Sequence, residues 1–176
     1  MILTRTDWTF LSALALKEAQ QIVDQYGTAG GQISLTHRPD AETVQDKFFG
    51  ATGSLYDYNA QNFIARESDF TVFNEALKNT YLHEIYNEIG NIGRMRIMVM
   101  DGPSSYTVHR DLTTRYHLVL KSNPQCFFVF PDDNELVHVP HDNNIYEVDT
   151  KRYHTFVNGS REQRIHLVMD NLNSYD

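Results

Sequence analysis

The chain has 176 residues, of which 41% are hydrophobic and 12% aromatic, and its 15 Lys plus Arg against 23 Asp plus Glu leave a formal charge of −8. That is the composition of a folded globular chain able to bury roughly 70% of its unfolded surface, and its acidity repels nucleic-acid phosphates. No apolar run nears the about 20 residues that cross a bilayer, and the first apolar piece, from Trp8 to Leu16, lacks a basic start and a small-residue cleavage site, so the expectation is one cytoplasmic domain with no membrane or nucleic-acid partner.

In chain order, Asp7 is placed to cap a helix over about 8–26, with Phe10, Leu11, Leu14, Ala15, Ala19, Ile22 and Val23 at helical spacing and Gly27 as its stop. A strand over 32–36 follows, and then 38–62, rich in Pro, Asp, Gly and Tyr, reads as an extended loop. Asp69 is placed to cap a second helix over about 70–89, ended by Gly90. Residues 1–93 thus form a region of helices and loops that supports what comes next. From Arg94 the pattern changes to eight short runs, 94–100, 106–111, 115–121, 126–130, 135–139, 145–149, 154–158 and 164–170, separated by turn residues. Eight strands in about 80 residues predict a mainly β fold with N-terminal helices, a cupin-like jelly roll. Cys126, the lone cysteine, lies in the apolar run Cys126-Phe-Phe-Val-Phe130 and reads as a core thiol.

Two segments repeat one pattern: Arg115-Tyr-His117-Leu-Val-Leu120 and Arg164-Ile-His166-Leu-Val-Met169. As strands they place each Arg and its following His on one face, and Tyr116, Leu118, Leu120 or Ile165, Leu167, Met169 on the other. For either segment alone, a solvated basic face over a greasy core face is the default for an amphipathic strand. Both segments, however, stand beside metal-ligand candidates. His109 and Asp111, two apart, face the same way, and His154 opens the seventh run, which a jelly roll sets beside the second. Two His and one carboxylate leave coordination positions open, as in non-haem Fe(II) sites that use O2, and zinc suits the set as well. His37 and His83 read as surface or helix-face residues. His138 and His141 flank a turn and are the reserve ligands. An inward Arg164 needs an anion, because a buried guanidinium without one is costly. A dicarboxylate with one end on the metal and the other on an arginine would use all these groups.

Together His109-x-Asp111, Arg115-x-His117, His154, Asn158 and Arg164 resemble the aspartyl/asparaginyl beta-hydroxylase branch of the 2-oxoglutarate and Fe(II)-dependent oxygenases. The resemblance covers about 94–170. It implies a double-stranded β-helix over 94–172, with His109, Asp111 and His154 holding Fe(II). It also implies that Arg164 takes the distal carboxylate of 2-oxoglutarate and that Arg115 and His117 help hold this co-substrate; His166 faces the same way. O2 is then the oxidant, and the substrate is an Asp or Asn side chain in a protein, or a free amino acid. Asn158 is expected to brace the His154 turn, and the 48–63 loop and the 131–134 turn to shape the pocket. Two other functions fit a jelly roll: a non-catalytic module for a dicarboxylate or sugar acid, and a cupin metalloenzyme that does not use 2-oxoglutarate. Arg164, ten residues after His154, favours the oxygenase over both. The native substrate and oligomeric state stay open.

Overall fold

A computed structural model describes residues 1–175 and is mainly β with few helices. Its first half contains β1 (Leu3–Thr9), α1 (Ser12–Tyr26), β2 (Gln32–Ser34), β3 (Thr36–His37), α2 (Val44–Phe49), β4 (Tyr56–Asp57), β5 (Asn62–Phe63), β6 (Val72–Phe73) and α3 (Tyr81–Ile89). Eight strands follow among the described residues: β7 (Ile92–Met100), β8 (Ser104–Ser105), β9 (Arg115–Lys121), β10 (Cys126–Phe130), β11 (Glu135–Val137), β12 (Asn144–Val148), β13 (Thr155–Asn158) and β14 (Arg164–Asn171).

They build a six-stranded antiparallel sheet in the order β1-β12-β9-β14-β7-β2 and a four-stranded one in the order β11-β10-β13-β8. Period-two geometry sorts the larger sheet's two faces. Tyr116, Leu118, Leu120, Ile165, Leu167 and Met169 share one hydrophobic cluster with Ala15, Ala19 and Ile22 of α1 and Leu82 and Ile85 of α3, so the helices cover that face. On the other face, Val119, Tyr146 and Val148 pack with Phe128, Phe130, Phe156 and the buried Cys126 of the smaller sheet. The two sheets therefore face each other, and the polar register positions Arg115↔Asp170, His117↔Val168 and Val119↔His166 point into the space between them. Among the described residues no helix is long and apolar enough to cross a membrane.

Several expectations for the first half are corrected. Residues 3–9 are strand, because they pair with β12 (Leu3↔Val148, Arg5↔Tyr146), and α1 begins only at Ser12. Asp7 is thus not its cap; the N-cap is Leu11, without a side-chain bond. The second helix starts at Tyr81, where the Thr80 hydroxyl accepts from His83 N. Residues before it are drawn into a strand pair, Thr36↔Phe73 and His37↔Val72, while the Asp69 carboxylate accepts from Arg66 N at 2.8 Å in a single 3-10 turn. The 38–62 stretch is not all loop. It holds α2, whose Thr43 and Asp46 cap each other reciprocally, and the β4–β5 hairpin. His37 is buried rather than on the surface. In the second half, 106–111 is not a continuous strand: β8 precedes it and His109 alone makes a bridge.

Leu118 lies fully buried between the larger sheet and α1. Leu118→Ala should lower the unfolding free energy by about 2–5 kcal/mol, read as a shift of the urea midpoint at constant slope. An unchanged midpoint would mean that the helices do not cover this face.

Candidate metal centre and anion pocket

His109 and His154 are joined by a pair of backbone hydrogen bonds, His109 N to His154 O at 3.0 Å and His154 N to His109 O at 2.8 Å. Asp111 N donates to Thr150 O at 2.8 Å, which fixes the carboxylate on the same rim. One ligand atom from each of His109, Asp111 and His154 then lies within 4.8 Å of the others. Both imidazoles use Nδ1 against a main-chain carbonyl two residues back, Thr107 O at 2.7 Å and Arg152 O at 2.9 Å. A carbonyl can only accept, so each Nδ1 carries the proton and each Nε2 keeps its lone pair for a cation. The Nε2 atoms face Asp111, at 4.0 Å to Oδ1 for His109 and 3.8 Å to Oδ2 for His154. Burial pushes the His154 imidazole below its ordinary pKa, against the pull of Asp111, which keeps it a neutral ligand. Two imidazoles and a carboxylate fit a divalent ion with open positions. The reserve histidines stand elsewhere: His138 Nδ1 bonds Cys126 O and His141 Nε2 meets Ser12 Oγ.

The triad opens into a pocket of about 430 Å³ between the sheets, within the range of small-molecule sites. The inward-facing Arg94, Arg96, Arg115 and Arg164 line it, with His117, Phe128 and Phe156, and the exposed Arg110 stands at its mouth. All four inward-facing arginines are buried, so the solvated basic face is excluded. They divide by partner. Arg115 meets three carboxylates: Glu67 at 2.6 Å, Asp170 at 2.7 Å and Asp111 at 2.8 Å. Arg94 binds Asp170 at 2.9 Å and Glu67 at 3.2 Å, and donates to Ala51 O and Gly53 O. By contrast, Arg164 lies 4.1 Å over the Phe156 ring, and its guanidinium hydrogen-bonds His166 Nδ1 at 2.7 Å. Its Nε and Nη1 have no partner among the described residues. Arg96 donates to Gln32 Oε1 at 3.0 Å, stands 3.6 Å from Asp170, and leaves Nε unpartnered among the same residues.

Burial sets the electrostatics. It lowers the Arg164 guanidinium to about 10, with only weak opposition from Tyr106 and Cys126. Burial, reinforced by Arg94 and Arg115 and resisted by Asp170, lowers Arg96 to about 9. At Arg115 the same penalty is outweighed by Asp111, Asp170 and Glu67, and the pKa rises. Burial pushes Glu67 up despite Arg115. His117 and His166 are driven well down by burial and next by Arg164, so both are neutral. Because Arg164 can only donate, His166 Nδ1 is the acceptor, and His117 Nδ1, 3.3 Å from it, is the donor in that contact.

Of the residues singled out from sequence, the structure gathers His109, Asp111 and His154 at the rim and Arg115, His117 and Arg164 on the pocket wall, with His166 behind Arg164. Asn158 does not brace His154. Its amide donates to Met100 O and Glu162 O and ties the 158–160 turn to β7. Tyr56, Tyr58 and Phe63 of the β4–β5 hairpin do line the pocket, whereas none of 131–134 does. Sequence reasoning missed Glu67, Arg94, Arg96 and Asp170. The signals for three of them are the Arg94-x-Arg96 spacing on β7 and Asp170 continuing the Arg164, His166, Val168 face; Glu67, in a short 3-10 turn, carries no periodic signal.

A family model described as aspartyl/asparaginyl beta-hydroxylase matches residues 18–173. No curated protein matches the chain.

Burial opposes ionisation of Asp170, but Arg115, Arg94 and Arg96 outweigh it and hold the carboxyl at about 2. A depressed folded pKa stabilises the protein above the unfolded value near 3.8, and that share disappears as pH falls toward 2. Asp170→Asn should cost about 3–5 kcal/mol at neutral pH by leaving guanidinium groups uncompensated. The gap from wild type in urea unfolding should be constant above pH about 5 and narrow below about 4; a gap independent of pH throughout would contradict the assignment.

Proposed function

The chain belongs to the aspartyl/asparaginyl beta-hydroxylase family, and we propose that it is a hydroxylase dependent on Fe(II) and 2-oxoglutarate that acts on an amino-acid side chain, in a protein or in a free amino acid. One observation carries the reading: two histidines and a carboxylate, with both Nε2 lone pairs free, share a pocket with a buried guanidinium that has two unpartnered nitrogens. The sheet order supports a double-stranded β-helix, whose open end would hold the site.

In this reading His109, Asp111 and His154 hold Fe(II), which with 2-oxoglutarate and O2 supplies the oxidising power for hydroxylation and leaves succinate and carbon dioxide as co-products. Arg164 would offer the distal carboxylate its unpartnered Nε or Nη1, either of which forms a fork of two parallel N–H groups with the second N–H of Nη2. The Phe156 ring beneath it and the His166 bond behind it fix the plane of that fork before any ligand arrives. His117 stands next in this chain of contacts; neutral, with Nδ1 as the donor toward His166, it keeps only a lone pair on Nε2, which has no partner among the described residues, so it borders the pocket as an acceptor and is assigned no bond to the co-substrate carboxylate. Arg115 is assigned a different role from the co-substrate contact expected of it. Its nitrogens already span Glu67, Asp111 and Asp170, so it orients the Asp111 ligand. Phe128 and Phe156 keep the inner wall apolar and limit water at the reacting centre. A module that only bound a dicarboxylate would have no use for the triad.

Protein supplied with Fe(II), ascorbate and 2-oxoglutarate should release succinate, with a gain of one oxygen on the substrate by mass spectrometry; no succinate, with candidate amino acids and peptides present, would remove the oxygenase reading. His109→Ala or His154→Ala should abolish calorimetric metal binding; His109→Ala, at a side chain 41% exposed, should leave the metal-free melting temperature within a few degrees, whereas His154→Ala, at a ring buried against Phe128 and Phe130, should lower it further. Arg164→Ala should keep the metal and weaken 2-oxoglutarate by about 2–5 kcal/mol. Equal loss of both ligands in folded Arg164→Ala protein would contradict this division.

A further inference from the structure

Two of the four buried arginines have no carboxylate within hydrogen-bonding distance among the described residues, and the co-substrate occupies only one of them. We propose that Arg96, braced by Gln32, is a second anion subsite that binds a carboxylate of the substrate. The inference rests on the oxygenase reading above and names the chemistry of the molecule to be hydroxylated.

Arg94 and Arg115 are occupied: carboxylates lie against both at 2.6–3.2 Å. Arg96 is not. It hydrogen-bonds the neutral amide of Gln32 at 3.0 Å, Asp170 stays 3.6 Å away, and Nε has no partner among the described residues although Arg96 is only 3% exposed and lines the pocket. A buried guanidinium in that condition is costly unless an anion completes it. Gln32 fits a brace. It stands opposite Met98, and its Oε1 also accepts from Gly53 N at 3.2 Å, which ties the fork to the segment leading into the β4–β5 hairpin.

The backbone positions of Arg96 and Arg164 leave room for two ligands. Arg164 pairs with Met100 on β7, four residues from Arg96 on the same strand, which separates their stations by about 13 Å of strand. One small dicarboxylate that also reaches the metal does not need both. Charge leads to the same occupant. Glu67, Asp111 and Asp170 offset three of the four buried guanidinium groups, and a divalent metal with dianionic 2-oxoglutarate adds nothing net, so the buried part of the loaded pocket keeps one positive charge in excess, with the exposed Arg110 at its mouth adding to the same sign. A substrate carboxylate removes it. Burial, then Arg94 and Arg115, lowers the proton affinity of Arg96 against the pull of Asp170 and Asp111, as for a cation that its neighbours offset only in part. That carboxylate can belong to a free amino acid or to an acidic side chain within a peptide; the chemistry is shared and the test separates them.

Wild-type protein and Arg96→Gln are loaded with Mn(II) and 2-oxoglutarate and titrated calorimetrically with two sets of probes. One set is the free amino acids and their carboxamides, the other end-blocked tripeptides with central aspartate, glutamate, asparagine or glutamine. In wild type at least one acid should bind about 10- to 100-fold more tightly than its amide, and Arg96→Gln should abolish that preference while 2-oxoglutarate affinity changes less than about threefold. Preference confined to the first set identifies a free amino acid, and preference in the second an acidic side chain. Equal binding of acids and amides, an acid preference that survives in Arg96→Gln, or no binding by any probe to protein holding 2-oxoglutarate overturns the proposal. If Arg96→Gln does not hold 2-oxoglutarate, Gln32→Met decides, since it keeps the charge and removes the brace: acid affinity must fall and amide affinity must not. Failure of wild type itself to bind 2-oxoglutarate removes the oxygenase reading instead, and this one with it.

Discussion

The paired backbone bonds between His109 and His154 are the constraint on which the rest of the site depends. They tie two stretches 45 residues apart in sequence and set both imidazoles on one rim, while Asp111 N on Thr150 O adds the carboxylate to the same edge. Ligand geometry is therefore a property of main-chain pairing, which is shared with the sheet and cannot drift independently of it. Side-chain contacts complete the arrangement, because each Nδ1 is tied to a carbonyl two residues back and the free lone pairs converge without a metal to organise them.

A second requirement follows from placing so much charge between two sheets. Four guanidinium groups and three carboxylates occupy a space that a sheet-on-sheet core would ordinarily fill with aliphatic side chains. Carboxylate pairing of Arg94 and Arg115 makes part of that cluster structural, and its effect on fold stability is strong only while every partner stays in place. Incomplete pairing of Arg96 and Arg164 makes the remainder receptive. The apolar work of the fold is done elsewhere, on the helix-covered face of the larger sheet and in the Phe128, Phe130 and Phe156 cluster at the inner end. That separation lets the pocket carry functional charge without weakening the core that supports it.

How much of this is legible in the sequence depends on the range of the interactions. β9 and β10 are readable to the residue because strict alternation and flanking turns fix a half-buried strand locally. The triad is readable because a two-residue spacing on one stretch and a later histidine fall where an eight-strand topology joins them. Residues 3–9 mislead because Trp8 and Phe10 pack on the α1 side from an extended stretch, which copies a helical stripe in composition. Phe70 and Phe73 do the same ahead of α3, where pairing with β3 overrides helical periodicity. Glu67 joins the charge cluster through tertiary placement alone, and no local pattern announces it. Arg94 and Arg96 carry the right spacing, but an acidic chain with eight apolar strands gives no local reason to bury them; the reason is Asp170, some 75 residues on.

The most direct measurement is a crystal structure of the protein grown with Mn(II) and 2-oxoglutarate, with the metal located by anomalous scattering. It should show one metal bound by His109 Nε2, an Asp111 oxygen and His154 Nε2, with 2-oxoglutarate reaching from that metal to the Arg164 guanidinium and leaving Arg96 clear. A metal bound away from the three side chains, or a dicarboxylate that does not touch Arg164, would contradict the account.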